Sequence, residues 1–298
     1  MAVATSRFLA PATLSAIHDL RLVASIVVEG FLSGEHKDLR PGAGVEFQQY
    51  RGYEPGDDPR RLDWKLFARS GRFFIRESEV ERDVIVRVIV DASASMAYAE
   101  DGISKLDYAR FLAASLAFLA DRQGDRVALH LLAGGGSVEV PVSLRGSTLP
   151  RILHRLERAF ADGGLPNLYR EGNGCFNTRE REIVVLISDL YEEDDELSRS
   201  VDTWSALGHE LIVLQIMGRQ ELEWPWQGDF EFEDLESART LRGNAATLAR
   251  DYRRRLGEFL TRWRSRIAGL GQTYELFTLD RPLDDALRHF LLRRRGAG

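Results

Sequence analysis

The run Val84-Ile85-Val86-Arg87-Val88-Ile89-Val90 constrains this chain more than any other stretch. β-Branched residues interrupted only by Arg87 read as a strand buried on both faces, of the kind found in the middle of a parallel sheet. The strand leads into Asp91-Ala92-Ser93-Ala94-Ser95-Met96, which is rich in oxygen donors. If the chain stays extended past Val90, alternate side chains point the same way, so Asp91, Ser93 and Ser95 converge beyond the strand tip. One carboxylate and two hydroxyls are hard ligands that suit Mg²⁺ or Mn²⁺ better than zinc or copper. In an open α/β sheet the carboxyl end of a central strand is also where ligands bind. A capped turn is the competing reading, because Asp and Ser side chains also accept hydrogen bonds from free backbone N–H groups.

Upstream, residues 12–31 carry Leu14, Ile17, Leu20, Val23, Ile26 and Val27 at helical spacing, with Gly30 and then Ser33-Gly34 as the stop. Residues 40–82 form a polar, aromatic-rich segment containing Arg51, Tyr53, Pro55-Gly56-Asp57-Asp58, Arg60, Asp63 and Trp64. Its charges suit an ion-paired loop around Tyr53 and Trp64, pinned to the main sheet. Phe73-Phe74-Ile75-Arg76 reads as a short strand.

Downstream, helical and strand patterns alternate, the signature of a doubly wound sheet. Residues 105–122 have the period of an amphipathic helix, with Leu106, Ala109, Leu112 and Leu116 on its apolar face. Strands are expected at 126–132 and 137–142, and Gly134-Gly135-Gly136 between them predicts an antiparallel hairpin. No lysine and Ser/Thr pair opens a helix after those glycines, so they do not form a phosphate cradle. A helix over 149–160 precedes the apolar strand Ile183-Val184-Val185-Leu186-Ile187-Ser188, which also runs into a carboxylate, Asp189. If the two Asp-tipped strands are parallel neighbours, Asp91 and Asp189 share one rim. The acidic run Glu192 to Glu196 suits a helix entrance, where the dipole favours negative charge. Another strand at 211–216, an Arg-rich helix at 245–267, a last strand at 273–278 and a terminal helix at 284–293 complete the pattern.

The net charge of −6 argues against a general nucleic-acid binder. A single cysteine, Cys175, excludes an internal disulfide framework and fits a reducing cytosol. Neither a signal peptide nor an apolar run long enough to span a bilayer is visible, so a soluble cytoplasmic protein is expected.

Asp91-Ala92-Ser93-Ala94-Ser95 after a buried strand, with Asp189 closing a later one, resembles the metal-ion-dependent adhesion site of von Willebrand factor type A domains. The run Arg51-Gly52-Tyr53-Glu54-Pro55-Gly56-Asp57-Asp58-Pro59-Arg60-Arg61-Leu62-Asp63-Trp64, with Glu79-Val80-Glu81-Arg82, resembles a narrower bacterial group, the domain-of-unknown-function family fifty-eight. That group is often encoded beside MoxR-type AAA+ ATPases. The resemblance implies a mostly parallel six-stranded sheet of type A-like topology over residues 83–280. It is preceded by a helical and irregular extension over 1–82 and followed by a helix and tail over 281–298.

Carried over, Ser93 and Ser95 ligate Mg²⁺ (or Mn²⁺) directly, and Asp91 and Asp189 hold it mostly through water. The loop that supplies a threonine in relatives reads Gly163-Gly164-Leu165-Pro166-Asn167-Leu168, leaving Asn167 as the candidate donor. The rim around Met96, Leu165 and Tyr191 would face a partner, whose carboxylate completes the metal shell. The implied function is a non-enzymatic, metal-dependent adaptor between a MoxR-type ATPase and a client protein. Two alternatives differ in kind. A Mg²⁺-dependent phosphatase would use Asp91 as nucleophile, but such enzymes need an acidic residue where Ser93 stands. A structural scaffold would leave the site without metal.

Overall fold

The computed structural model describes residues 11–14, 17, 19–38, 49–52, 66–67, 69, 71–77, 84–134, 136–143, 147–166, 180–192, 195–233, 235, 239–284 and 287. Asn167, Cys175, the aromatic and charged side chains of the 53–65 segment and the Arg293-Arg294-Arg295 tail lie outside them. The chain divides into two compact units, one of residues 35–83 and one of residues 1–34 with 84–298.

The smaller unit contains an antiparallel pair, β1 (Gln49–Gly52) with β2 (Phe74–Glu77). The strand expected near Phe74 therefore forms, but in its own two-stranded sheet.

The larger unit is built on β3 (Ile85–Asp91), whose seven residues are all buried. A two-residue pair, β4 (Ala99–Glu100) and β5 (Ile103–Ser104), follows. The other strands of the main sheet are β6 (Arg126–Ala133), β7 (Gly136–Val140), β8 (Glu182–Ser188), β9 (Glu210–Met217) and, last in the chain, β12 (Thr273–Thr278). A separate hairpin of β10 (Asp229–Glu233) and β11 (Thr240–Asn244) lies between β9 and β12 in sequence.

The six-stranded sheet has the order β12-β9-β8-β3-β6-β7, with every neighbour parallel except β7 on β6. The triple-glycine turn thus joins an antiparallel pair, as expected. Numbered within the sheet, the order is 3-2-1-4-5-6, and it reverses between β3 and β8. That reversal is the point at which doubly wound sheets bind their ligands.

Alternation along β3 explains the two layers. Val86, Val88 and Val90 face one core with Leu106, Ala109 and Leu112 of α3 (Lys105–Arg122), whereas Ile89 faces the other. The second core takes Leu197, Val201 and Trp204 from α5 (Glu196–Ala206) and Trp263 and Ile267 from α7 (Ala245–Gly269). α4 (Leu149–Glu157) adds Ile152, Leu153 and Leu156 to the first core, ending three residues before the expected 160.

The N-terminal helical stretch differs from expectation. It forms two helices, α1 (Pro11–Leu14) and α2 (Leu20–Asp38), and neither Gly30 nor Ser33-Gly34 stops the second. The Asp19 carboxylate accepts the Leu22 N–H at 3.0 Å and restarts the helix there. A glycine inside a helix costs only about 1 kcal/mol, too little to end one. Leu20, Val23, Ala24 and Val27 pack in the same core as the sheet, so this helix belongs with the larger unit.

The acidic run before α5 behaves as expected at a helix entrance: Glu192 accepts the N–H groups of Leu197 and Ser198 at 2.8 and 2.9 Å. At the chain's end, Leu283 and Leu287 close the first core, and the rest of the expected terminal helix lies outside the described residues.

Candidate functional site at the β3–β8 rim

The parallel pairing of β3 with β8 sets Asp91 and Asp189 on one rim, as their positions in sequence predict. Both carboxylates are fully buried, and neither is idle. Asp91 Oδ1 accepts the Ser93 N–H at 2.8 Å, and its Oδ2 accepts the Ser188 hydroxyl at 2.5 Å. Asp189 Oδ1 accepts the Tyr191 N–H at 3.2 Å, while the Gln215 amide donates to the Asp189 carbonyl at 2.9 Å.

The two serines meet by a turn rather than by continued extension. Ser93 is extended, with φ −63° and ψ 164°, and a 3-10 helix (Ala94–Ala97) begins immediately after it. That turn brings Ser93 Oγ and Ser95 Oγ to 3.1 Å.

The facing loop is held by main chain. Ala94 N–H donates to Gly163 O at 2.7 Å, Asp162 N–H to Ala92 O at 3.0 Å, and Gly134 N–H to Asp162 O at 2.9 Å. Here two glycines are obligatory: a Cβ on Gly134 would lie 2.6 Å from the Gly163 Cα, and one on Gly163 would lie 2.6 Å from the Gly134 Cα. Gly163 also has φ +61°, which side-chain-bearing residues seldom adopt.

Two further residues complete the rim. Lys105 opens α3 and is 1% exposed, and its ammonium donates to Asp189 Oδ2 at 3.0 Å and to Glu221 Oε1 at 2.9 Å. The same ammonium lies 5.2 Å from the Tyr98 ring centroid and 5.3 Å from that of Tyr191. Glu221 belongs to the short helix α6 (Arg219–Glu223), and its other oxygen accepts the Gly218 N–H at 2.6 Å. Burial pulls the Lys105 pKa down, but the charges of Asp189 and Glu221 outweigh it and hold the ammonium above its ordinary value.

Burial raises the Glu221 carboxyl, against the opposing pull of Lys105. It also pushes the Asp91 carboxyl up to about 7, and the Asp189 charge adds to that effect. Asp189 and Glu221 thus share the Lys105 ammonium, and Asp91 beside them is held by hydrogen bonds from Ser93 and Ser188.

The residues expected at a partner-facing rim divide. Leu165 is partly buried against the second core, and Tyr191 stacks on Phe259 with ring centroids 5.0 Å apart. Met96 is fully buried in the first core and presents nothing to a partner, because the 3-10 turn swings it inward. The expected donor Asn167 lies outside the described residues.

Among the described residues no group of three or more His, Cys, Asp or Glu side chains is arranged to hold a metal. A hard cation here would therefore rest on hydroxyls. Two neighbouring ligands of an octahedral Mg²⁺ lie about 3 Å apart when its bonds are about 2.1 Å. The Ser93–Ser95 separation matches that edge, and Asp91 is a carboxylate that carries an electrostatic penalty which a cation would relieve. On these grounds Asp91, Ser93 and Ser95 fit the ion, whereas the Asp189 carboxylate is shared with Lys105.

The family model described as "Protein of unknown function DUF58" matches residues 49–261. The chain belongs to that family. It is 28% identical over 296 residues to the uncharacterized protein Rv1480 of Mycobacterium tuberculosis strain H37Rv, covering 96% of this chain and 92% of that one. Among solved structures it is similar to the conserved hypothetical protein BatB of Bacteroides thetaiotaomicron at 13% identity and TM-score 0.43, covering 72% of this chain and 99% of that one. It is also similar to the SpRpn10 VWA domain at 9% identity and TM-score 0.37, covering 68% of this chain and 93% of that one.

Proposed function

We propose that this DUF58 chain is a protein-interaction module whose β3–β8 rim binds a partner's carboxylate through a shared Mg²⁺ or Mn²⁺. Its place, on the resemblance of its sequence, is in the cytoplasm as an adaptor between a MoxR-type AAA+ ATPase and a client. The observation that carries the reading is the meeting of Asp91, Ser93 and Ser95 at the point where the strand order reverses. Bound there, the metal supplies a positive charge that a partner's Asp or Glu can share. The chain's own residues do the rest. Ser93 and Ser95 present hydroxyl oxygens, Ser188 and the Ser93 N–H fix the Asp91 carboxylate, and the Asp162–Gly163 main chain holds the turn in place. No bond is broken in this reading.

No helix of the described residues is long and apolar enough to cross a membrane. Calorimetric titration with Mg²⁺ and Mn²⁺ should show binding by the wild type and a loss of at least tenfold in Ser93→Ala. A purified MoxR-type ATPase should be retained by the wild type, and released by chelator or by Asp91→Ala. Retention unchanged by both would refute the metal-bridged reading.

A further inference from the structure

The Lys105 ammonium sits where the rim's negative charge is greatest. It touches one carboxylate of the Asp pair, Asp189, and ties it to Glu221 on α6. Both Nζ contacts are at ion-pair distance, and the side chain is enclosed between the Tyr98 and Tyr191 rings. A buried ammonium is tolerated only when paired in this way, and its charge acts through a medium that screens poorly.

We infer that Lys105 is a built-in competitor for the divalent cation: it spends the charge of Asp189 internally and so holds the metal affinity of the rim low. This rests on the metal-bridged reading above and adds to it a residue that sets occupancy. A divalent ion at Asp91, Ser93 and Ser95 meets Asp189 already half neutralised, and it meets the repulsion of the ammonium beside it. A partner's carboxylate restores the missing negative charge. Metal and partner therefore bind together more strongly than either binds alone, and the rim stays weakly loaded until a partner arrives.

The distinguishing experiment is calorimetric titration of the full chain with Mn²⁺, without partner. Lys105→Met keeps the length and the apolar stem of the side chain while deleting the charge, and thermal unfolding confirms that the variant folds. The expected result is Mn²⁺ binding at least tenfold tighter than wild type, lost again in Lys105→Met/Asp91→Asn. Equal affinity in wild type and Lys105→Met would overturn the competition while leaving the metal site standing. No Mn²⁺ binding by either protein would overturn both.

If Lys105→Met does not fold, Glu221→Gln supplies the test. Its loss leaves the ammonium to Asp189 alone, and Mn²⁺ should bind several-fold more weakly than to wild type. Unchanged affinity in that variant would also overturn the inference.

Discussion

Two charged clusters are buried against the same central strand, and they are built on different principles. Near the start of β3, Arg87 makes a two-pronged pair with Glu182 of β8, at 2.5 Å from Nε and 2.9 Å from Nη2. Its Nη1 reaches His130 Nε2 at 2.6 Å and the half-exposed Glu139 at 3.2 Å. A guanidinium only donates, so His130 Nε2 must accept, and the ring is neutral with its proton on Nδ1. Burial, then the Arg87 charge, hold the His130 pKa down to about 3. One buried cation meets one fully buried carboxylate, and this cluster is closed in charge.

At the other end of the same strand, Asp189 and Glu221 share Lys105, while the neighbouring Asp91 carboxylate is held by the Ser188 hydroxyl and the Ser93 N–H. That cluster has negative charge to spare. The closed cluster is architecture, whereas the open one is where the proposed cation would act.

The largest effect should come from breaking the closed pair. Arg87→Met strands Glu182 in the core and should lower unfolding free energy in urea by about 3–5 kcal/mol. Arg87→Met/Glu182→Leu, which removes both charges, should recover most of that loss. A double variant as unstable as the single would show that the cluster is not self-contained.

Next in size, Asp91→Asn should stabilise the protein. The Asp91 carboxyl titrates about 7 in the fold against 3.8 ordinarily. A raised carboxyl pKa means that the folded state holds its proton longer, so wild-type stability falls as pH rises from about 4 to about 7. Asparagine keeps the bond from the Ser93 N–H through its oxygen and makes the Ser188 bond in reverse, its amide donating to the hydroxyl oxygen, without the charge. In chelator at pH 8 the gain should be about 1–2 kcal/mol, shrinking to nothing below pH 4. A loss at pH 8 would mean that the rim carries no excess charge.

The smallest effect lies in the acid limb. His130 is depressed below its ordinary 6.5, so the unfolded chain takes the proton first and stability falls as pH drops from about 6.5 toward 3. His130→Gln should remove at least about 1 kcal/mol of that loss between pH 7 and pH 5. Since Asp91 acts in the opposite direction over much of the same range, this variant should gain stability on mild acidification. Denaturant midpoints at pH 7 and pH 5 decide the matter.

Much of the sheet could be read directly from the sequence because its four central strands are largely apolar and its helices have a clean period. Asp91 and Asp189 were legible for the same reason: each ends such a strand. The partners of these carboxylates were not, since Ser188, Lys105 and Glu221 are scattered along the chain and meet only in space. Lys105 did leave a signal. It falls at i, i+4 and i+7 with Ala109 and Leu112, on the apolar stripe of α3, where a lone ammonium requires a buried counter-charge. Arg87 in an otherwise apolar strand was a signal of the same kind.

The hairpin of β10 and β11 escaped notice because its alternation, Phe230 and Phe232 among acids, spans only five residues. Its inner ring, Phe232, packs near Trp224 at 5.3 Å, a contact no local pattern announces.

The glycine crossing at 134 and 163 has a consequence for how such a rim can diversify. Where two stretches of backbone touch with no side chains between them, spacing is set by main-chain atoms and does not depend on which residues follow. Leu165, two positions on, can change its chemistry without shifting the Gly163 carbonyl that fixes the serine turn. The geometry of the oxygen set is thus fixed by main chain, independently of the side chains the loop carries beyond Gly163.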